Sequence, residues 1–185
     1  MKIILFLGLG VKKEYFKKKK IYNYLNKLGD LKLIDMKNDI NFDLSIKKNL
    51  EKLNINDKYL VLGHSIGAYF VYGMNKYFPN NIIKSFIFDG SIFNKQFIDD
   101  SNDELFTKLY NEIGSIKSKN KIVFIRNIDD NYDELDKKYF LDEINKLSKK
   151  KSINFVSYII KNKGHNFYMN DSNFEFIKQI IEKEI

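Results

Sequence analysis

The chain has 185 residues, 44% of them hydrophobic, and its 32 basic against 24 acidic residues give a formal net charge of +8. That length covers one core well and is short for two, so a single domain over residues 1–185 is expected. The absence of cysteine excludes disulfides and thiolate metal sites and fits a reducing, cytoplasmic setting; two histidines with no HExxH or clustered carboxylate loop lead us to expect no metal and no cofactor.

In chain order, Met1-Lys2 and the following IILFLGLGV have the charged and apolar start of a signal peptide. The apolar run is short, however, and Lys12-Lys13 follow without a small-residue cleavage site, so a buried strand over 3–7 is the better reading. Residues 12–28 carry Tyr15, Phe16, Tyr22, Leu25 and Leu28 at roughly helical spacing, which puts the basic run Lys17 to Lys20 on a solvated face. The basic residues include one arginine, Arg126. Nucleic-acid sites lean on the arginine fork, so no nucleic-acid partner is expected.

Strands are then predicted over 31–35, 59–62, 82–88, 121–126 and 154–160, and helices over 43–53, 66–78, 103–118, 132–150 and 171–184. No segment reaches the length of a membrane span. Strand and helix alternating in this way imply right-handed crossovers and an α/β three-layer sandwich, with a mostly parallel sheet of about six strands. Ligands of such sheets bind beyond the carboxyl ends of the strands. The residues standing there are Gly8-Leu9-Gly10, Gly63 to Gly67, Asp89-Gly90-Ser91, Asn127 to Asp130 and Lys163-Gly164-His165. A serine, candidate acids and a histidine therefore share one edge.

Gly63-His64-Ser65-Ile66-Gly67 matches G-x-S-x-G between a strand and a helix. So sharp a turn strains the serine backbone and requires its flanks to lack bulk; it also pushes the hydroxyl out at a helix N-terminus, where negative charge is favoured. Ser65 is thus the candidate nucleophile. A serine needs a base, and His165, after the last strand, is the candidate. His64 is closer in sequence, but an immediate neighbour in a sharp turn projects away from the hydroxyl, so it reads as structural support. For the orienting acid the order of preference is Asp130, then the adjacent Asp129, then Asp89 at the end of the fourth strand; acids in IDDNYDE also suit a helix start.

These residues, in the order Ser, Asp, His, together with GLG after the first strand, GHSIG and a late GH, resemble the α/β-hydrolase superfamily over nearly the whole chain. The resemblance implies a minimal form of that fold, without its first two strands or a lid domain. It also implies an oxyanion hole from the backbone N–H groups of Ile66 and Leu9. Two positions depart from the family pattern: Leu7 stands where many members have histidine before glycine, and Asn127 replaces a glycine common three residues before the acid. GHSIGAY is similar to elbows of thioesterases and lipid-ester hydrolases.

The expected function is a serine hydrolase cleaving a carboxylic ester or thioester through an acyl-enzyme, with an acyltransferase or a non-catalytic binding protein as alternatives. Phe93, Phe97 and Phe167 are candidate lining of an apolar substrate pocket, the competing reading being that they are core residues. The expected partner is a small ester or thioester bearing a short acyl group.

Overall fold

The computed structural model describes residues 1–36, 46–51, 53, 54, 56–90, 104–113, 120–128, 139, 142, 145, 155–161 and 163–185. Six strands form one sheet: β1 (Lys2–Leu9), β2 (Asp30–Met36), β3 (Tyr59–His64), β4 (Ile82–Phe88), β5 (Ile122–Ile128) and β6 (Phe155–Lys161). Their order is β2-β1-β3-β4-β5-β6, and every neighbouring pair is parallel. The predicted strands all form, with ends within two residues of those expected.

Helices cover both faces because the central strands are apolar on both, as a buried parallel sheet requires. On one side Ile4, Phe6, Val61 and Phe124 pack with α3 (Ile46–Leu50), α4 (Gly67–Tyr77) and Leu109 of α5 (Glu104–Ile113). On the other, Ile3, Leu5, Leu62, Val123 and Ile125 pack with α1 (Lys13–Phe16), α2 (Lys20–Leu28) and α6 (Phe174–Glu184). Among the described residues no helix is long and apolar enough to cross a membrane.

The structure corrects one predicted element. The helix expected over 12–28 is two helices, because Lys19 is extended (φ −92°, ψ 147°) and the Lys20 N–H donates to Asp171 Oδ1 at 3.0 Å. The break lets Phe16 turn into the core, 5.9 Å from the Tyr168 ring and 6.2 Å from Tyr22. Of the helix expected over 132–150 only residues 139, 142 and 145 are described, each of them helical.

β1, β3 and β4 run side by side through the middle of the sheet and end at one edge. There Leu9, Ser65 and Asp89 emerge, with the loop after β6 beside them.

Candidate active site

The turn from β3 into α4 is dictated by close approach. A Cβ on Gly63 would lie 2.6 Å from Gly67 O and from Val71 Cγ2, and one on Gly67 would run into the Phe6 carbonyl oxygen. Helix and strands meet with no room for a side chain at either position. Ser65, between them, is driven to φ 52°, a left-handed conformation that non-glycine residues seldom adopt. Its N–H donates to Phe88 O at 3.1 Å and its carbonyl accepts from Ala68 N at 3.0 Å, so strand β4 and helix α4 both fix it. Ser65 is partly exposed, whereas Ile66, the N-cap of α4, is buried.

Asp89 follows directly on β4 and is also left-handed, at φ 46°. Its side chain has no solvent exposure, an arrangement that is costly for a carboxylate unless donors surround it. Oδ1 accepts from the Asn127 N–H at 3.1 Å and lies 3.4 Å from Arg126 Nε. Oδ2 lies 2.6 Å from His165 Nδ1. A carboxylate accepts, so Nδ1 carries the proton, and Nε2 is the ring nitrogen that faces away from Asp89.

His165 is held in a loop tied at several points. Gly164 before it is left-handed at φ 76°, and Phe167 N donates to Gly164 O at 3.0 Å. The Lys163 N–H donates to Asn127 Oδ1 at 2.8 Å. The His64 ring lies beneath: its Nε2 donates to the His165 carbonyl at 3.1 Å, and its centroid is 4.7 Å from both the His165 and Tyr168 rings. Burial, with a smaller contribution from the His165 charge, pushes His64 down to about 3, so it stays neutral and its Nε2–H remains a donor at ordinary pH. The support role expected for His64 is thus what its contacts describe.

Of the candidate acids, Asp129 and Asp130 lie outside the described residues; among the described residues Asp89, third in the order of preference, meets His165. Leu9 ends β1 and is exposed, with the left-handed Gly10 (φ 75°) after it. Phe93 and Phe97 lie outside the described residues. Phe167 does not line a pocket: it is 0% exposed and packs in the core with Leu5, Phe88 and Ile181, because the short helix Phe167–Met169 turns its side chains under the sheet edge. The cleft that borders His165, about 560 Å³, is lined by Tyr15, Lys19, Lys163, Asn166 and Asn170 among others, and is more polar than the expected acyl pocket.

Two residues here carry structure that no motif announced. Arg126 and Asn127 lie near the end of β5 and both contact Asp89, and Asn127 also reaches the histidine loop. The available signal was the lone arginine placed inside an apolar strand. Among the described residues no group of three or more His, Asp or Glu is arranged to hold a metal ion.

No protein-family description and no curated protein matches the sequence. Solved structures do match over its full length. Tomato methylketone synthase I, in complex with 2-tridecanone, superposes with a TM-score of 0.61 at 13% identity, covering 100% of this chain and 98% of that one. A methylesterase from Arabidopsis gives 0.61 at 14% identity, with 99% of each chain covered. Fluorophosphonate-binding serine hydrolase F of Staphylococcus aureus gives 0.56 at 18%, covering 99% of this chain and 82% of that one. Identities this low carry architecture alone, and the architecture held in common is plain in the strand order described above: the chain has the α/β-hydrolase fold.

Proposed function

We propose that the protein is a serine hydrolase that cleaves a carboxylic ester or thioester, with Ser65 as nucleophile, His165 as base and Asp89 as the orienting acid. The observation that carries this reading is the 2.6 Å contact between the buried Asp89 carboxylate and His165 Nδ1 at the sheet edge where the strained Ser65 emerges. A carboxylate on Nδ1 fixes the tautomer that leaves Nε2 free of a proton and able to take one. Asp89 thus takes the role for which Asp130 stood first on sequence grounds.

Ser65 Oγ attacks the substrate carbonyl carbon while its proton passes to His165 Nε2, and Asp89 stabilises the imidazolium that results. The N–H groups of Ile66 and Leu9 receive the oxygen that becomes negative, a contribution of about 3 kcal/mol for each donor in comparable sites. The protonated histidine then gives its proton to the leaving alcohol or thiol. Water, deprotonated by the same Nε2, attacks the acyl-serine, and the free acid departs with Ser65 restored.

Labelling with a fluorophosphonate probe tests the reading. The expected result is a single adduct, mapped to Ser65 by mass spectrometry and abolished by Ser65→Ala and by His165→Ala. A folded wild-type protein that takes no label would overturn it, and would favour a binding role for the fold.

A further inference from the structure

We propose that Arg126 is a positioning residue of this site: it clamps Asp89 so that one carboxylate oxygen is engaged and the other is presented to His165. The inference rests on the reading of Asp89 as the orienting acid.

Arg126 is the one arginine among 32 basic residues, and it stands where a strand side chain should be apolar. Every residue of β5 is buried, and Arg126 has the same alternation as Ile122 and Phe124, which face α4. Its side chain is 4% exposed, and burying a guanidinium is tolerated only where acceptors meet it. Two do. Nε lies 3.4 Å from Asp89 Oδ1, and Nη1 donates to the Gly90 carbonyl at 3.0 Å.

These acceptors belong to consecutive residues, the first of them in a left-handed conformation. The guanidinium therefore spans the backbone bend that aims Asp89. Its nitrogens are fixed in one plane, so binding Gly90 O and Asp89 Oδ1 together restrains both the bend and the carboxylate rotation; an ammonium on a flexible stem does this less well. Gly90 itself is packed against the elbow, where a Cβ would come within 2.5 Å of Ala68 Cβ and 3.2 Å of Ser65 O. The clamp thus ties the acid to the segment carrying the serine.

The division of Asp89 between its two oxygens follows. Oδ1 receives Arg126 Nε and the Asn127 N–H, and Oδ2 is the oxygen that meets His165. Without Arg126 the buried carboxylate loses a cationic partner of Oδ1, which favours its rotation or its uptake of a proton. Either change weakens the bond that sets the histidine tautomer. Arg126 touches neither substrate nor reacting atoms, so its effect must pass through Asp89, and a double-mutant cycle reads that dependence.

The test compares Arg126→Met, Arg126→Lys, Asp89→Asn and the Asp89→Asn/Arg126→Met pair, using p-nitrophenyl acetate and counting active sites with a fluorophosphonate. We expect Arg126→Met to lower kcat per labelled site by about tenfold or more with KM changed less than about twofold, and Arg126→Lys to recover part of that loss. In the Asp89→Asn background the same change should alter kcat by less than about twofold. A loss confined to the number of active sites, or an equal loss in both backgrounds, overturns the proposal. Should Arg126→Met fail to fold, Arg126→Lys carries the same comparison. A second readout needs no turnover: the low-field proton resonance of His165 Nδ1–H should be lost or displaced in a folded Arg126 variant, and an unchanged resonance overturns the clamp. A wild-type protein that neither labels nor hydrolyses defeats the hydrolase reading, whereas the resonance still decides the clamp.

Discussion

Ser65 and His165 stand at the same edge of the sheet, but the turn that holds the serine and the loop that holds the histidine are built by different means. The serine turn is steric. Gly63 and Gly67 remove bulk where β3, β1 and α4 touch: Gly67 and Val71 close on Gly63, and the Phe6 carbonyl of β1 closes on Gly67. The histidine is placed by polar contacts from far along the chain: Asp89 after β4, Asn127 near the end of β5 and His64 at the end of β3. A packed turn resists displacement because neighbouring atoms have nowhere to go, whereas a hydrogen-bonded loop depends on the charge and protonation of its partners. The two halves should therefore fail differently.

The largest effect expected is on the reaction itself. Ser65→Ala should lower hydrolysis by at least about a thousandfold while leaving the Asp89–His165 pair in place, which steady-state rates and the histidine proton resonance would report separately. Asp89→Asn attacks the other half. It should cost about a hundredfold to ten-thousandfold in kcat by releasing the histidine tautomer. It should also lower stability by about 3 kcal/mol, because the Arg126 guanidinium is left buried with its ionic partner gone. Urea unfolding beside kinetics separates the two losses, and a kcat within about twofold of wild type would remove Asp89 from the mechanism.

Gly67→Ala breaks the steric half alone. Its new methyl meets the Phe6 carbonyl, which belongs to a central strand and cannot move aside cheaply. A loss of about 2 kcal/mol or more in unfolding free energy is expected, with labelling of Ser65 reduced in the fraction that folds. Full stability and labelling would show that the turn has more room than its contacts indicate.

The effect that is smallest at neutral pH sharpens the comparison as pH falls. His64 is held neutral by burial, at about 3 when folded against 6.5 in the unfolded chain. As pH falls below 6.5 the unfolded chain takes up this proton first, so stability is lost progressively toward pH 3, and above 6.5 the group contributes no pH dependence. The slope should be on the order of 1 kcal/mol per pH unit over that window. His64→Gln, which keeps a donor for the His165 carbonyl, should flatten it. An equally steep acid limb in the variant would assign the sensitivity to other groups.

The sequence by itself determined the elements whose causes are local. Apolar runs of four to seven residues bounded by polar segments form strands wherever their faces can be covered, so all six were legible within a residue or two. The serine turn was legible because its requirement, absence of bulk at Gly63 and Gly67, is stated by residue type at fixed spacing. Phe167 is the opposite case: an aromatic after a candidate histidine fits a pocket wall or a core equally well, and only the short helix it belongs to buries it.

Which carboxylate meets His165 among the described residues was decided by tertiary structure. Asp89, Asp129 and Asp130 all follow strands that end at the same edge, and chain spacing does not say which carboxylate comes within 3 Å of an imidazole contributed by a loop beyond β6. That depends on side-chain direction at the end of β4, on the left-handed backbone of Asp89, and on the donors that Arg126 and Asn127 bring across from β5. Patterns of hydrophobicity fix which strands form because burial acts on each of them separately. Which charges meet is a property of the assembled edge, since a buried carboxylate is stable only where its partners already stand.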